Sequence, residues 1–438
     1  MADIKEIQNK KGISYKVSIS LGYDANGKKI TKSTTFTPDP AKSAKQVEKD
    51  LQKFVIDFED KVRNEEYFDG EKLSFEEFSY KWLDHVKPNI AYNTYDGYQS
   101  MLKTKIIPYF RGYKIAKIKL PMIEAFYLTL ADKYARGTIK KCDIILNGIF
   151  KTAMRWQSIG KNPCAGAIIP QTKKKEAELK YFTPQQALTF LASLDMEFET
   201  TYKGHKRIDD TGKPYFVGEY IEKRSVPTQF KVFFNIALFC GMRKGEILAL
   251  HWDDIDLGER TIKITKSVSI SKDGPVLKEP KTKSGKRIVS IPVQILPLLM
   301  QYKNEYNILK ISLGDKWQGK GNLFVQYDGE LMGIHTPYHR FVKHIPKYNE
   351  WVDNANKELS SGQQKYEPLP IIPLHGLRHS CATLLNYLGV NIIDISNVLG
   401  HAQTSTTMNI YAHSFEEQKR VASDKIDEFL KKQTDKSA

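Results

Sequence analysis

Residues Gln229–Leu250 read QFKVFFNIALFCGMRKGEILAL. An apolar helical run ends near Cys240-Gly241, and a second helix is expected from about Met242, which puts Arg243 and Glu246 in its first turn. Three residues apart, the two can pair, and the carboxylate would fix the guanidinium fork. An anion held at that helix start would meet both the guanidinium and backbone N–H groups. The same pattern also describes a surface ion pair, so its meaning depends on what the rest of the chain brings to it.

Downstream, Arg260–Ile270 (RTIKITKSVSI) alternates as a strand, Lys272-Asp273-Gly274 turns it, and Lys286–Pro292 (KRIVSIP) resumes the alternation. Between them, Glu279–Arg287 (EPKTKSGKR) sets Lys281, Lys283 and Lys286 in a hairpin region. A lysine there can donate a proton in a phosphate-filled cleft, or the run is a solvated loop. Asp253 and Asp254, after Trp252, read as the turn into the strand after Ile255 rather than a metal pair. Leu374–Leu388 (LHGLRHSCATLLNYL) carries an apolar stripe of Leu374, Leu377, Cys381, Leu384 and Leu388. His375 and Arg378 share the neighbouring face and can converge on one anion. His375 and His379 have the spacing of a helical metal pair, but a zinc-protease helix needs glutamate at 376, where this chain has glycine. Asn391 can cap the next short helix, Gly400 can end it, and His401 follows directly. Tyr411 stands ten residues after His401 in LGHAQTSTTMNIYAH, residues 399–413.

The chain has 438 residues, too long for one typical core. Its 41% hydrophobic and 27% charged content describes an ordinary globular protein, and no apolar run is long enough to span a bilayer. The N-terminus MADIKEIQNKKG lacks a secretory apolar stretch. Cys142, Cys164, Cys240 and Cys381 are scattered, which argues for a reducing, cytoplasmic setting without a thiolate metal site. Lys plus Arg total 67 against 51 Asp plus Glu, a net charge of +16, which points to a polyanionic partner, nucleic acid first among them.

Upstream, residues 1–65 read as a small α+β unit. Ile13–Leu21 and Ile30–Phe36 alternate around the turn at Gly22–Lys28, Pro38–Ala41 breaks the pattern, and Val47, Leu51, Phe54, Val55, Phe58 and Val62 recur at helical spacing. Such a unit is either a DNA-reading module or a structural appendage. After a linker at 66–72, four helices are expected over 73–165. Ser74 with Glu77 forms a capping box, Asn93 can cap the second helix and Pro108 stop it, Pro121 suits a first turn, Thr138 can cap the fourth, and Gly160 with Asn162-Pro163 ends the set. Pro170–Lys180 (PQTKKKEAELK) is a basic linker, Thr183-Pro184 opens a helix, and Glu197–Arg224 is a polar insertion or hairpin within a last domain at 178–438.

In order, the last domain offers ArgXXGlu, a lysine of a KT-type hairpin, HisXXArg, LeuGlyHis and a tyrosine. That order and spacing resembles the tyrosine recombinase (phage integrase) family. Residues 73–165 are similar to its SAM-like, helical core-binding domain, and residues 1–65 to the arm-type DNA-binding domain of integrases from phages and conjugative transposons. The resemblance implies a multidomain α+β chain: a small sheet-plus-helix module, a helical domain, and a mixed, mainly helical catalytic domain with a β-hairpin, the larger two closing as a clamp on duplex DNA. It implies Tyr411 as nucleophile, Arg243 and Arg378 as phosphate clamps, His401 as a hydrogen-bond donor to the phosphate, and His375 as proton acceptor or phosphate positioner. Lys281 would be the general acid, with Lys283 as its rival. No metal or nucleotide cofactor is required. The implied partners are double-stranded DNA at core and arm sites, a homotetramer bridging two duplexes, and an accessory excision or DNA-bending factor, with no membrane. His379 and His413 receive no chemical role.

Two other functions share features of this pattern. A type IB topoisomerase-like enzyme would use the same chemistry and reseal the same strand, but the N-terminal module and the terminal helix favour recombination. A catalytically inactive DNA-binding protein would not need Tyr411. Ser414–Lys432 reads as an amphipathic helix with Phe415, Val421, Ile426, Phe429 and Leu430 on its apolar face. It either packs on its own domain or, as the resemblance implies, docks on a neighbouring protomer. Deleting residues 416–438 is expected to abolish cooperative DNA binding and synapsis while single-site binding persists; unchanged cooperativity in a gel-shift titration would rule out the docking role.

Overall fold

The structure, a computed structural model, describes residues 2–9, 12–23, 27, 29–63, 73–173, 180–208, 213–272, 274–280, 283–360, 365–401 and 403–411. It divides into two compact units, Met1–Ala177 and Glu178–Ala438. No helix among the described residues is long and apolar enough to cross a membrane.

In the first unit, β1 (Asp3–Asn9), β2 (Gly12–Tyr23) and β3 (Lys29–Phe36) form an antiparallel sheet in that order, followed by α1 (Ala44–Arg63). The two alternating runs pair as expected, with Tyr15 opposite Phe36 and Ser20 opposite Thr31. β1 was not foreseen: its sequence, DIKEIQN, has no clean period, and β2 recruits it with Ile4 opposite Val17. Val17 and Ile19 of the sheet meet Phe58 and Val62 of α1 in a small core.

A second, separate core in this unit is helical. α2 (Phe75–Val86) opens on the expected capping box, with Ser74 Oγ accepting from the Glu77 N–H at 3.2 Å and the Glu77 carboxylate accepting from the Ser74 N–H at 3.1 Å. α3 (Tyr92–Met101) runs through a π-turn at Leu102–Ile106 into α4 (Ile107–Phe110), then come α5 (Leu120–Ala131) and α6 (Arg136–Arg155). Pro121 sits in the first turn of α5 as expected. Pro108 does not stop its helix. The wide π-turn resets the hydrogen-bond ladder, and the proline lies in the first turn of α4, where its missing N–H is tolerated. The expected caps Asn93 and Thr138 are replaced by Ala91 and Ala135, neither making a side-chain bond. Ring centroids of Phe75 lie 5.1 Å from Phe110 and 5.8 Å from Phe150. Tyr127 Oη donates to Asp143 Oδ1 at 2.6 Å, Asn147 Nδ2 to the same oxygen at 2.9 Å, and Asn162 Nδ2 to Asn147 Oδ1 at 3.0 Å. This chain of bonds ties the Asn162-Pro163 stop back onto α6.

The second unit begins with α7 (Pro184–Ser193), capped by Thr183 and Gln186. β4 (Phe198–Tyr202) pairs with β7 (Tyr220–Arg224), and β5 (His205–Ile208) with β6 (Pro214–Val217), so Glu197–Arg224 is a long antiparallel hairpin. α8 (Thr228–Phe239) is buried on nearly every side through Phe230, Val232, Phe233, Phe234, Ile236 and Leu238, and α9 (Lys244–Leu248) follows. The alternating run 260–270 is two strands rather than one. β9 (Thr261–Ile264) lies between β8 (Ile255–Asp256) and β12 (Arg287–Ser290), while β10 (Ser267–Ser271) leaves that sheet at Thr265-Lys266 to pair with β11 (Gly274–Lys278). Asp254 ends a short 3-10 turn and accepts the His251 N–H at 2.9 Å, the turn role expected of it. α10 (Leu296–Leu313), α11 (Thr336–Glu358), α12 (Gly376–Tyr387), α13 (Ile392–Leu399) and α14 (Thr404–Tyr411) complete the described chain. Leu388 does not join the buried stripe of α12: it is the C-cap, past the last packed turn, and 66% exposed.

α8 is the centre of this unit. Phe234 stacks edge-on against Phe190 and packs on Phe341, and Phe233 lies edge-on to Phe324. Phe234→Ala should therefore cost about 3–5 kcal/mol in guanidinium denaturation of the full chain; a loss under about 1 kcal/mol would place α8 at the periphery.

Candidate active site

The site is assembled around two glycines with left-handed backbones. Gly241 joins α8 to α9 at φ +58°, and a Cβ there would stand 2.6 Å from Leu399 Cδ2. Gly400 closes α13 at φ +65°, and a Cβ there would stand 2.8 Å from Arg287 Nη1 and 2.9 Å from the Ser284 carbonyl oxygen. Only glycine permits both conformation and approach. The end of α13 thus lies against the α8–α9 turn.

Arg243 is the extended N-cap of α9, φ −73° and ψ 147°, rather than a first-turn residue. The expected pair forms: Arg243 Nη1 donates to Glu246 Oε1 at 2.7 Å, and the Arg243 N–H to Glu246 Oε2 at 3.0 Å. Glu246 is buried and receives a second arginine, Arg287 Nη2, at 3.0 Å. Burial opposes ionisation of the Glu246 carboxyl, but the charge and hydrogen bonds of Arg287, then those of Arg243, outweigh it and hold its pKa below the usual carboxylate range. Arg243 also reaches the Gly400 carbonyl through Nη2 at 3.4 Å, while Arg287 Nε donates to the Val398 carbonyl at 2.8 Å.

From α12, Arg378 is 2% exposed and its Nη1 donates to the Gly241 carbonyl at 2.6 Å. His375 is the N-cap of α12, with its ring edge-on to His379 at 5.0 Å. A cavity of about 290 Å³ opens beside His375 and Arg378, lined also by Met242, Lys244 and Tyr338. After Gly400, the His401 N–H donates to the Ser396 carbonyl, and its Nδ1 lies 2.7 Å from Thr407 Oγ1. When the Thr407 hydroxyl donates that bond, Nε2 carries the ring proton and is a donor. Asn391 caps α13 as expected, accepting from the Ile393 and Asp394 N–H groups at 2.9 Å each.

Burial, then the charges of Arg378 and Arg243, lower the pKa of His401 to about 4. Partial desolvation, then Arg378 and Arg243, lower that of His375. Burial, then His375 and Arg378, bring His379 to about 4. These rings are neutral at pH 7, set among fixed cations: an arrangement suited to an anion that takes hydrogen bonds and can lose or gain a proton nearby.

Among the residues expected to carry chemistry, Arg243, His375, Arg378 and His401 are brought into this cluster. Tyr411 is the last residue of α14, one helical turn beyond Thr407. Lys281, Thr282 and His413 lie outside the described residues, as does the terminal segment 412–438; the backbone of Lys283 opens a 3-10 turn at Lys283–Gly285. Arg287, Lys244 and Thr407 escaped the sequence reading. Lys244 lines the cavity, and burial lowers its pKa. For Arg287 a signal existed: in β12, Arg287 and Val289 face inward while Ile288 is 66% exposed, and an inward arginine demands a carboxylate.

Residues 218–418 match the Phage integrase family, and residues 74–130 match the SAM-like N-terminal domain of phage integrases. The chain is 26% identical to the XerC-like tyrosine recombinase of Caldanaerobacter subterraneus, over 95% of this chain and 96% of that one. It is 26% identical to the ICEBs1 integrase of Bacillus subtilis, over 98% and 100%. Its fold is similar to that of the Tn1549 transposon integrase in complex with circular intermediate DNA, with a TM-score of 0.57 at 18% identity, covering 80% of this chain and 99% of that one.

The depressed histidines make stability depend on pH. His379, His401 and the core residue His344 titrate at about 4 when folded, against about 6.5 when unfolded. Between these values the unfolded chain binds more protons, so stability rises with pH across the window and falls as pH drops through it. Melting at pH 5 should come below melting at pH 7, and the His401 ring should titrate by NMR near 4; a midpoint near 6.5 would contradict the site's electrostatics.

Proposed function

On the premise that the chain belongs to the phage integrase family and is a tyrosine recombinase, we propose that Tyr411 is its nucleophile and that the cluster above holds the scissile phosphate. The observation that carries this is the convergence of Arg243, Arg378, His375 and His401 from three chain segments, with the helix of Tyr411 bonded to His401 through Thr407. A phosphodiester resists attack because it is anionic, and an unperturbed tyrosine is a poor nucleophile at neutral pH. Fixed cations at the non-bridging oxygens ease both difficulties.

In this mechanism Arg243 and Arg378 clamp the non-bridging oxygens, and neutral His401 adds a hydrogen bond from Nε2. The Tyr411 oxygen forms a bond to phosphorus as the bond to the 5′ oxygen breaks. The phenolic proton passes to neutral His375, and the 5′ oxygen leaves with a proton from Lys281, or from its neighbour Lys283. The product is a 3′-phosphotyrosine, and attack by a partner strand's 5′-hydroxyl reverses the step and joins the strands.

The same reading assigns arm sites to residues 1–65, core sites to residues 73–165 and strand exchange to residues 178–438. The DNA-bound Tn1549 integrase structure supports duplex DNA as the partner, and the excess of basic residues supports a salt-dependent affinity. The protein would act as a homotetramer on paired duplexes in the bacterial cytoplasm, with an excision or DNA-bending factor setting direction. The ICEBs1 and Tn1549 relatives support integration and excision of a mobile element as the biological task.

The test uses nicked duplexes carrying the junctions of the element that encodes the protein. The wild type should give a protein–DNA adduct that withstands boiling in detergent, and Tyr411→Phe should give none while binding equally well. An adduct with Tyr411→Phe would overturn the nucleophile; none with tightly bound wild type would replace catalysis by site occupancy.

A further inference from the structure

We infer that Arg287 is a positioning residue for strand cleavage, acting through Glu246 and the α13 terminus to hold Arg243 and His401 at a fixed separation. The inference rests on the functional reading above. Its basis is a closed ring of bonds. Arg287 Nη2 holds Glu246 Oε2 at 3.0 Å, and Glu246 Oε1 holds Arg243 Nη1 at 2.7 Å. Arg243 Nη2 reaches the Gly400 carbonyl at 3.4 Å, and Arg287 Nε takes the Val398 carbonyl, two residues earlier, at 2.8 Å. A third contact, Nη1 to the Gly285 carbonyl at 3.4 Å, ties the ring to the 3-10 turn before β12.

Two features argue that this ring serves more than cohesion. Glu246 already has a cationic partner in Arg243, so charge neutralisation alone does not call for burying another arginine to 8% exposure. With both carboxylate oxygens occupied, Glu246 cannot rotate, and Arg243, itself 41% exposed, is held from behind while its outer face stays open to a ligand. The close approach is also built from the other side, since glycine at 400 leaves room for the Arg287 guanidinium. A lysine at 287 would keep the charge, but one ammonium cannot span a carboxylate and a carbonyl in the directions of a planar fork.

The test compares wild type and Arg287→Lys in single-turnover cleavage at saturating protein. The nicked junction duplex carries either a normal scissile phosphodiester or a methylphosphonate, whose missing negative oxygen relieves the demand on Arg243. On the phosphodiester, Arg287→Lys should cleave on the order of 10- to 100-fold more slowly, with core-site Kd unchanged and the protein still cooperatively folded at the assay temperature. On the methylphosphonate the deficit should shrink to about threefold or less. Equal rates on the phosphodiester, an equal deficit on both substrates, or a deficit matched by loss of folded protein would each overturn the positioning role. Should Arg287→Lys not fold, Glu246→Gln interrupts the same ring and should show the same contraction. A wild type that forms no adduct on either substrate refutes the functional reading itself, whereas an active wild type with an equally active Arg287→Lys refutes this inference alone.

Discussion

A single buried carboxylate, Glu246, holds the catalytic unit in register. It binds Arg243 through a side-chain and a backbone hydrogen bond and Arg287 through an ion pair, so it joins a short helix, a sheet strand and, through the arginines' carbonyl contacts, the end of α13. A carboxylate that far from water is stable only when paired, and its two arginines hold it ionised. Each arginine is in turn confined by the carboxylate. The result is a cation held in place by the fold itself, which in the proposed mechanism would meet a phosphate without reorganising at the moment of reaction.

The histidines follow from the same crowding. Burial first, and then the charges of Arg378 and Arg243, keep the His375 and His401 rings neutral. A neutral histidine can accept a phenolic proton or donate a hydrogen bond, whereas an imidazolium could only donate. In the proposed mechanism the arginines would favour a phosphate, while burial, with their help, would keep a base available beside it. Thr407 ties this electrostatic centre to α14: its hydroxyl lies at hydrogen-bond distance from His401 Nδ1, on the helix that ends in Tyr411.

Much of this was legible in the sequence because the signals were local. The capping box at Ser74, the helix start at Thr183-Pro184, the glycine that ends α13, the Arg243–Glu246 pair and the apolar run of α8 each depend on residues within a turn or two. The misses have the opposite character. β1 exists because β2 offers it an edge, and the 260–270 run splits because its two halves find different partners. Asn93 and Thr138 were expected as caps, but both helices start earlier, after Ala91 and Ala135, with no side-chain bond at either cap. Strand alternation in β12 could have turned Arg287 inward, but its partners stand 41 residues before it and 111 after it, and no local pattern names them. The lysine that would serve as general acid, Lys281, lies outside the described residues, so its role stands on the resemblance and the chemistry.

Everything turns on where the covalent bond forms. The most direct measurement is mass spectrometry of the protein–DNA adduct after nuclease trimming and proteolysis, locating the nucleotide remnant on the chain. A remnant joined to Tyr411 through a 3′-phosphate is the predicted result. A remnant on any other side chain, or one joined through a 5′-phosphate, would contradict the assignment of nucleophile, leaving group and polarity together.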